Sequence, residues 1–231
     1  MTQALPLYVQ TSELLIRELA AGRRLPGERL PPERDMAQSL GISVGTLRKA
    51  LSDLENRGLL ERRQGSGNYI KSNSEPAGIY AFFRLELLQG GGLPRAEVLS
   101  VDRLPKPDTL PPFGSAAFGH RIRRLRRLDD QPIALEEIWL DGSATDSLTL
   151  EDLSESLYLY YRQSLGVWIT RAEDRVGTGL VPDWSAPPFP LAPGAVAGHI
   201  LRRSEAQSGE TIEASHTCFD PAHAAYVSRL R

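Results

Sequence analysis

Over its first seventy positions the chain spaces apolar residues three and four apart, the period that gives a helix one buried stripe. Tyr8, Leu15 and Leu19, flanked by Leu14, predict a first helix from Leu7 to Ala21. Gly22 stops it, and Gln10, Glu13 and Arg17 form its polar face. After the turn sequence LPGERLP, Pro32 fits the first position of a second helix, where its missing N–H is no loss. Glu33 follows in the first turn, Met36, Ala37 and Leu40 face inward, and Gly41 ends the element. Ser43 then supplies a hydroxyl cap for a third helix, whose buried face is Val44, Leu47, Leu51 and Leu54 and whose stop is Gly58. Two short extended runs follow in LLERRQGSGNYI, hinged at Gly65-Ser66-Gly67, where positive φ is tolerated.

Past Ile70 the pattern changes. Lys71 to Gly78, KSNSEPAG, holds no large apolar residue and reads as a connection, dividing the chain into residues 1–72, a linker at 73–78 and a second domain at 79–231. Tyr80 to Leu88, Arg95 to Leu104, Ile122 to Leu128 and Ile133 to Leu140 are strand-like. Leu150 to Ser164 has helical spacing with acidic residues in its first turn, and Pro182 to Pro193 is too proline-rich for a helix and reads as an ordered loop. The prediction is an α+β protein: three helices with a two-stranded wing, then a mixed sheet with antiparallel pairing and accompanying helices. No repeat of fixed period is present.

Composition narrows the functions open to this architecture. The 231 residues, 41% of them hydrophobic, suffice for two cores. One cysteine, Cys218, excludes an intramolecular disulfide framework, and His120, His199, His216 and His223 lack metal-ligand spacing, so no metal and no cofactor are expected. No run approaches eighteen apolar residues and no signal segment opens the chain, which points to a cytoplasmic protein with no membrane partner. The net charge of -2 conceals an asymmetry: residues 1–72 carry 11 Lys/Arg against 8 Asp/Glu, the remainder 16 against 21. Only the first part suits a polyanion.

The third helix carries the chemistry for one. Ser43, Gly45, Thr46, Arg48 and Lys49 occupy its amino end and free face: small and hydrogen-bonding side chains that admit a groove, with cations for phosphates or guanine edges. Arg62 and Arg63 lead into the wing. Three short glycine-stopped helices also fit any small helical domain, and basic residues on a helix are often only a solvated face. The segments LPGERLPPERDMA, the G-I-S before the third helix, T-L-R-K-A-L within it and LLERRQGSG, however, closely resemble the GntR-type winged helix. That resemblance implies contact with double-stranded operator DNA by Arg34, Ser43, Gly45, Thr46, Arg48, Gln64 and Gly65. Two positions depart from the family: Val44 stands where many members have a DNA-contacting Arg, and Pro32 replaces the usual Ser.

Against that background RIRRLRRLDDQPIALEEIWL, SLYLYYRQSLGVWITRAEDRV and ETIEASHTCFDPAHAAYVSRL resemble the effector domain of the HutC branch, called UTRA. The resemblance implies a chorismate-lyase-like fold and a small-molecule pocket formed by Arg124, Arg126, Glu136, Ser156, Tyr158, Arg171, Glu213 and Tyr226. PDWSAPPFPLAPG departs from the short helix usual between strands. Arg124 and Arg126, two apart, share one face of a strand and suit an anionic group, a sugar phosphate or carboxylate. Arg121, Arg123 and Arg127 read as solvent-facing charges. The expected function is a homodimeric regulator, a repressor, whose paired winged helices read a short palindrome and whose DNA affinity an effector controls. Two rivals stand beside it. An enzyme is one, since the resembling fold includes a lyase, but the sequence shows no nucleophile–base pair and no phosphate loop. A ligand-free architectural dimer is the other.

Overall fold

The computed structural model describes residues 6–20, 24–25, 27–71, 82–153 and 156–229. Its described residues form two compact units: Leu85–Tyr226, and residues up to Arg84 together with those after Tyr226. The expected connection at 73–78 lies outside the described residues.

In the smaller unit α1 spans Leu7–Ala20, α2 Glu33–Ser39 and α3 Val44–Asn56. Leu15, Ile16, Leu19, Met36, Ala37, Leu47, Leu51 and Leu54 form one core with Leu59, Leu60 and Ile70, so the apolar stripes of three helices close on each other and on the wing. Burying each leucine contributes about 1.5–3 kcal/mol. Tyr8 is exposed and Ile16 takes the core position instead. The polar face expected on α1 is buried: Gln10, Glu13 and Arg17 are each at most 6% exposed. The cause is polar packing. Glu13 accepts from Arg57 at 2.6 Å, Ser12 donates to Asp53 on α3, and Arg17 lies over the Phe83 ring at 4.8 Å.

Pro32 sits one place earlier than expected, as the N-cap of α2 (ψ 138°) whose carbonyl accepts from Met36. Ser43 caps α3 as expected, its Oγ accepting from the Thr46 amide at 3.0 Å. The wing pairs β1 (Leu60–Arg63) with β2 (Gly67–Ile70), with Gly65 at φ 71° in the turn. Backbone bonds from Leu30 to Asn68 and from Ile70 to Glu28 lay residues 28–30 along β2 as a third edge.

The larger unit is built on a six-stranded sheet ordered β4-β5-β6-β9-β8-β7, every neighbouring pair antiparallel. The strands are β4 Pro94–Pro105, β5 Phe118–Leu128, β6 Gln131–Asp141, β7 Ile169–Leu180, β8 Val196–Ala206 and β9 Thr211–Phe219. Of the strand expected over Tyr80 to Leu88, Tyr80 and Ala81 lie outside the described residues, and among the rest the strand is β3, Leu85–Leu87, which pairs with β10, Ala224–Tyr226. The single helix expected over Leu150 to Ser164 is interrupted. Thr149 and Asp152 close a 3-10 turn over Leu150–Asp152, using the acidic residues that signalled a helix start. Ser156 then caps α4 (Leu157–Tyr160), which runs on as a π-helical turn, Tyr161–Leu165, to Gly166 at φ 66°. On one face of the sheet Ile122, Ile138 and Leu140 pack against Leu157 and Tyr161. The other is covered by the proline-rich loop, where Phe189 and Trp184 meet Leu125, Leu135 and Cys218.

Candidate functional site

Each unit presents one candidate site. In the smaller unit the N-cap at Ser43 and the burial of Leu47, Ala50, Leu51 and Leu54 fix which side of α3 faces outward. Ser43, Gly45, Arg48 and Lys49 are exposed on that side and Thr46 half-buried, its Oγ1 2.8 Å from Ser43 Oγ. A Cβ at Gly45 would meet only Ser43 Oγ among the described residues, at 3.8 Å, so none of them demands glycine there. What a missing side chain provides is close approach from outside. Arg34 is exposed on α2, and Gln64 and Gly65 form the exposed tip of the wing. Between wing and α2 lies an open cleft of about 420 Å³ lined by Arg29, Glu33, Arg62, Arg63 and Gln64. All seven residues expected at DNA thus sit on exposed or half-exposed parts of α2, α3 and the wing. Arg29 was missed; only its charge could have drawn notice, because its place beside β2 depends on chain folding.

In the larger unit register decides the site. Pairing of Arg124 with Glu136, Glu136 with Thr217, Arg202 with Ser215 and Asp174 with Arg202 puts these side chains on one face across five strands. Arg124 donates to Glu136 Oε2 through Nε at 3.0 Å and Nη2 at 2.7 Å, while Arg126 Nε lies 3.6 Å from Oε1. Burial alone would raise the Glu136 pKa, but the two guanidinium groups outweigh it and hold the carboxyl below its usual range. Arg124 Nη1 is buried and has no hydrogen-bond acceptor among the described residues.

Beside this pair Arg202 forks onto Asp174, with bonds of 2.6 and 2.7 Å, and Tyr226 donates to the same carboxylate at 2.8 Å. Burial works against the Arg202 charge, yet Asp174 and the nearby Glu213 keep its pKa above the ordinary value. Glu213 accepts from Tyr158 (3.1 Å), Ser204 (2.8 Å) and Tyr161 (2.8 Å). Desolvation, reinforced by the Glu213 carboxylate, raises both phenols' pKa, so they stay protonated donors. Ser156 is buried at the cap of α4, immediately before Leu157 and Tyr158.

The structure therefore gathers Arg124, Arg126, Glu136, Tyr158, Glu213 and Tyr226 into one polar network, with Ser156 at its helical side. Arg171 is not part of it. It pairs with Glu205 at 3.7 Å on the opposite face, after a bulge between Ile169 and Arg171, and its side chain is 73% exposed. The reading of the residues missed Arg202, Asp174, Tyr161 and Ser204; their signal was charge and hydroxyl at alternate strand positions, uninterpretable before pairing is known. Arg121, Arg123 and Arg127, expected to face solvent, lie half-buried on the other side and pair with Asp102, Glu137 and the Asp130 carbonyl. No group of three metal-ligating side chains converges among the described residues.

This pairing of folds defines a DNA-binding transcription regulator. The chain belongs to the gntR family of bacterial regulatory proteins: that family's model matches residues 7–70 and the UTRA domain model matches residues 89–224. Among its relatives is the HTH-type transcriptional regulator SmoD of Agrobacterium fabrum, 59% identical over 99% of this chain and 97% of that protein. The HTH-type transcriptional repressor NagR of Bacillus subtilis is 27% identical over 90% of this chain and 88% of its own. In fold the chain resembles PhnF from Mycobacterium smegmatis, with a TM-score of 0.51 at 19% identity, covering 95% of this chain and 99% of that one. SmoD and NagR are both named as transcription regulators. No described helix is long and apolar enough to cross a membrane.

Proposed function

We propose that this regulator is a cytoplasmic homodimeric repressor whose operator affinity falls when a small anionic metabolite binds the larger unit. Residues 1–72 form the DNA-binding domain, 73–78 the linker and 79–231 the effector and dimerisation domain. Arg34, Ser43, Gly45, Thr46, Arg48, Gln64 and Gly65 contact the operator. Arg124, Arg126, Glu136, Ser156, Tyr158, Glu213 and Tyr226 line the effector site, with Arg202 and Asp174 added and Arg171 left out.

One observation carries the choice of an anion: Arg124 Nη1 is a buried cationic donor without an acceptor among the described residues. Such a group costs about 1–3 kcal/mol or more when left unsatisfied, and a phosphate or carboxylate oxygen satisfies it. Arg126 and Arg202 supply further positive charge on the same face, while the hydroxyls of Tyr158 and Ser204 suit a ligand's own hydroxyl groups.

The test is fluorescence anisotropy with the duplex upstream of the protein's own gene and with a scrambled duplex, at physiological salt. Sugar phosphates, phosphonates and carboxylates are then titrated onto the complex. An effector should weaken operator binding by about 5–150-fold, and the operator should weaken effector binding equally. If the panel changes neither DNA affinity nor melting temperature, in the parent and in Arg124→Gln alike, the domain only pairs two DNA-binding units.

A further inference from the structure

Arg48 leaves the outer face of α3 with its guanidinium already engaged at one end. Its Nε donates to Glu33 Oε2 at 2.6 Å, from the first turn of α2. Arg48, helped by Asn68 on β2, holds the Glu33 carboxyl below its usual pKa, and Arg62 Nη2 on β1 donates to the Arg48 carbonyl at 3.2 Å. Glu33 therefore stands where α2, α3 and the wing meet. The Arg48 side of this ion pair is 65% exposed, so the pair contributes little to stability. What it fixes is direction. Nη1 and Nη2 of Arg48 make no hydrogen bond among the described residues, so their outer N–H groups stay free for a ligand.

We propose that Glu33 is a specificity-determining residue: it clamps the Arg48 guanidinium by Nε so that the two terminal amino groups are presented together to the O6/N7 edge of one guanine. This rests on the reading of α3 as the recognition helix. An arginine on a flexible stem loses much of its rotamer freedom when it binds, and one already clamped loses less. The guanine edge rewards that geometry, because its two acceptors match a guanidinium fork. A phosphate accepts from almost any approach, so free and clamped arginines serve it equally.

The experiment measures affinity for the operator and for a scrambled duplex across a range of salt, for the parent, Glu33→Gln, Glu33→Asp, Arg48→Ala and Glu33→Gln/Arg48→Ala. Far-UV circular dichroism establishes that the helices persist in each. Glu33→Gln should lower the operator-to-scrambled ratio by about fivefold or more, the lower end of what a bidentate arginine–guanine contact supplies, while scrambled binding stays equal or tightens. Glu33→Asp should recover part of the ratio, and the double variant should be no worse than Arg48→Ala alone. An unchanged ratio in Glu33→Gln, with Arg48→Ala impaired, overturns the clamp and leaves the recognition helix standing. Additive losses in the double variant also overturn it. An unchanged ratio in Arg48→Ala overturns the clamp and the recognition-helix reading together.

Discussion

Glu136 is the one carboxylate that Arg124 and Arg126 share, with side-chain exposures of 10%, 8% and 4% respectively. Glu136→Gln keeps the shape and one acceptor oxygen but removes the charge, leaving the buried Arg124 guanidinium without the carboxylate it bonds. Breaking a buried pair from one side costs about 3–5 kcal/mol, and the retained amide oxygen puts the expectation near about 3. In a unit of this size that is a fall of roughly 6–12 °C in Tm. Trp139, Trp168 and Trp184, all the tryptophans of the chain, lie in Leu85–Tyr226, so intrinsic fluorescence reports the unfolding of this unit alone. The pH dependence has a definite sign. The folded Glu136 pKa is depressed below 4.5, so its contribution is complete above that value and is lost as pH falls through the lowered one. The gap between parent and variant should be full at pH 7 and close on acidification. A variant that melts within about 2 °C of the parent at pH 7, or a gap that widens as pH falls, refutes the account of this pair.

Ser43→Ala removes the hydroxyl that accepts from the Thr46 amide and should cost the smaller unit about 1 kcal/mol, read by chemical denaturation under circular dichroism. Gly198→Ala drives a methyl into the Phe219 ring and should cost about 1–3 kcal/mol, seen as a lower fluorescence melting temperature. Tyr161→Phe strips Glu213 of one of three hydroxyl donors in a fully buried setting and should destabilise by about 1–3 kcal/mol. Arg171→Ala, on the exposed opposite face, should leave stability within about 0.5 kcal/mol and the response to anions unchanged.

The smaller unit was legible almost residue by residue, because its order is local. Caps, glycine stops and a three-to-four spacing act within one helix, and Ser43 caps α3 at the position the pattern gave. The failures there are contacts between helices. Nothing in the spacing of Gln10, Glu13 and Arg17 says that α3 will bring Asp53 and Arg57 against that face and bury it. In the larger unit Leu150 to Ser164 carried a helix's periodicity and a helix's acidic start. Thr149 with Asp152 and then Ser156 offered two competing caps seven residues apart, and the chain used both.

The effector face shows how far a strand pattern reaches. Arg124 and Arg126 could be assigned to one face by counting in twos, since β5 runs unbroken between them, and they do share Glu136. Arg171 could not: the irregularity after Ile169 shifts its phase, and it faces away while Asp174, three residues on, faces in. Arg202 pairs with Asp174 and Ser204 bonds Glu213, yet nothing before Val196 or after Ala206 marks which alternate set of β8 belongs to that face. Only the ladder from β9 to β8 and from β8 to β7 decides it. The arginines that a sequence can place are those whose strand is regular around them; the arginine that completes the network becomes visible when its neighbours are known.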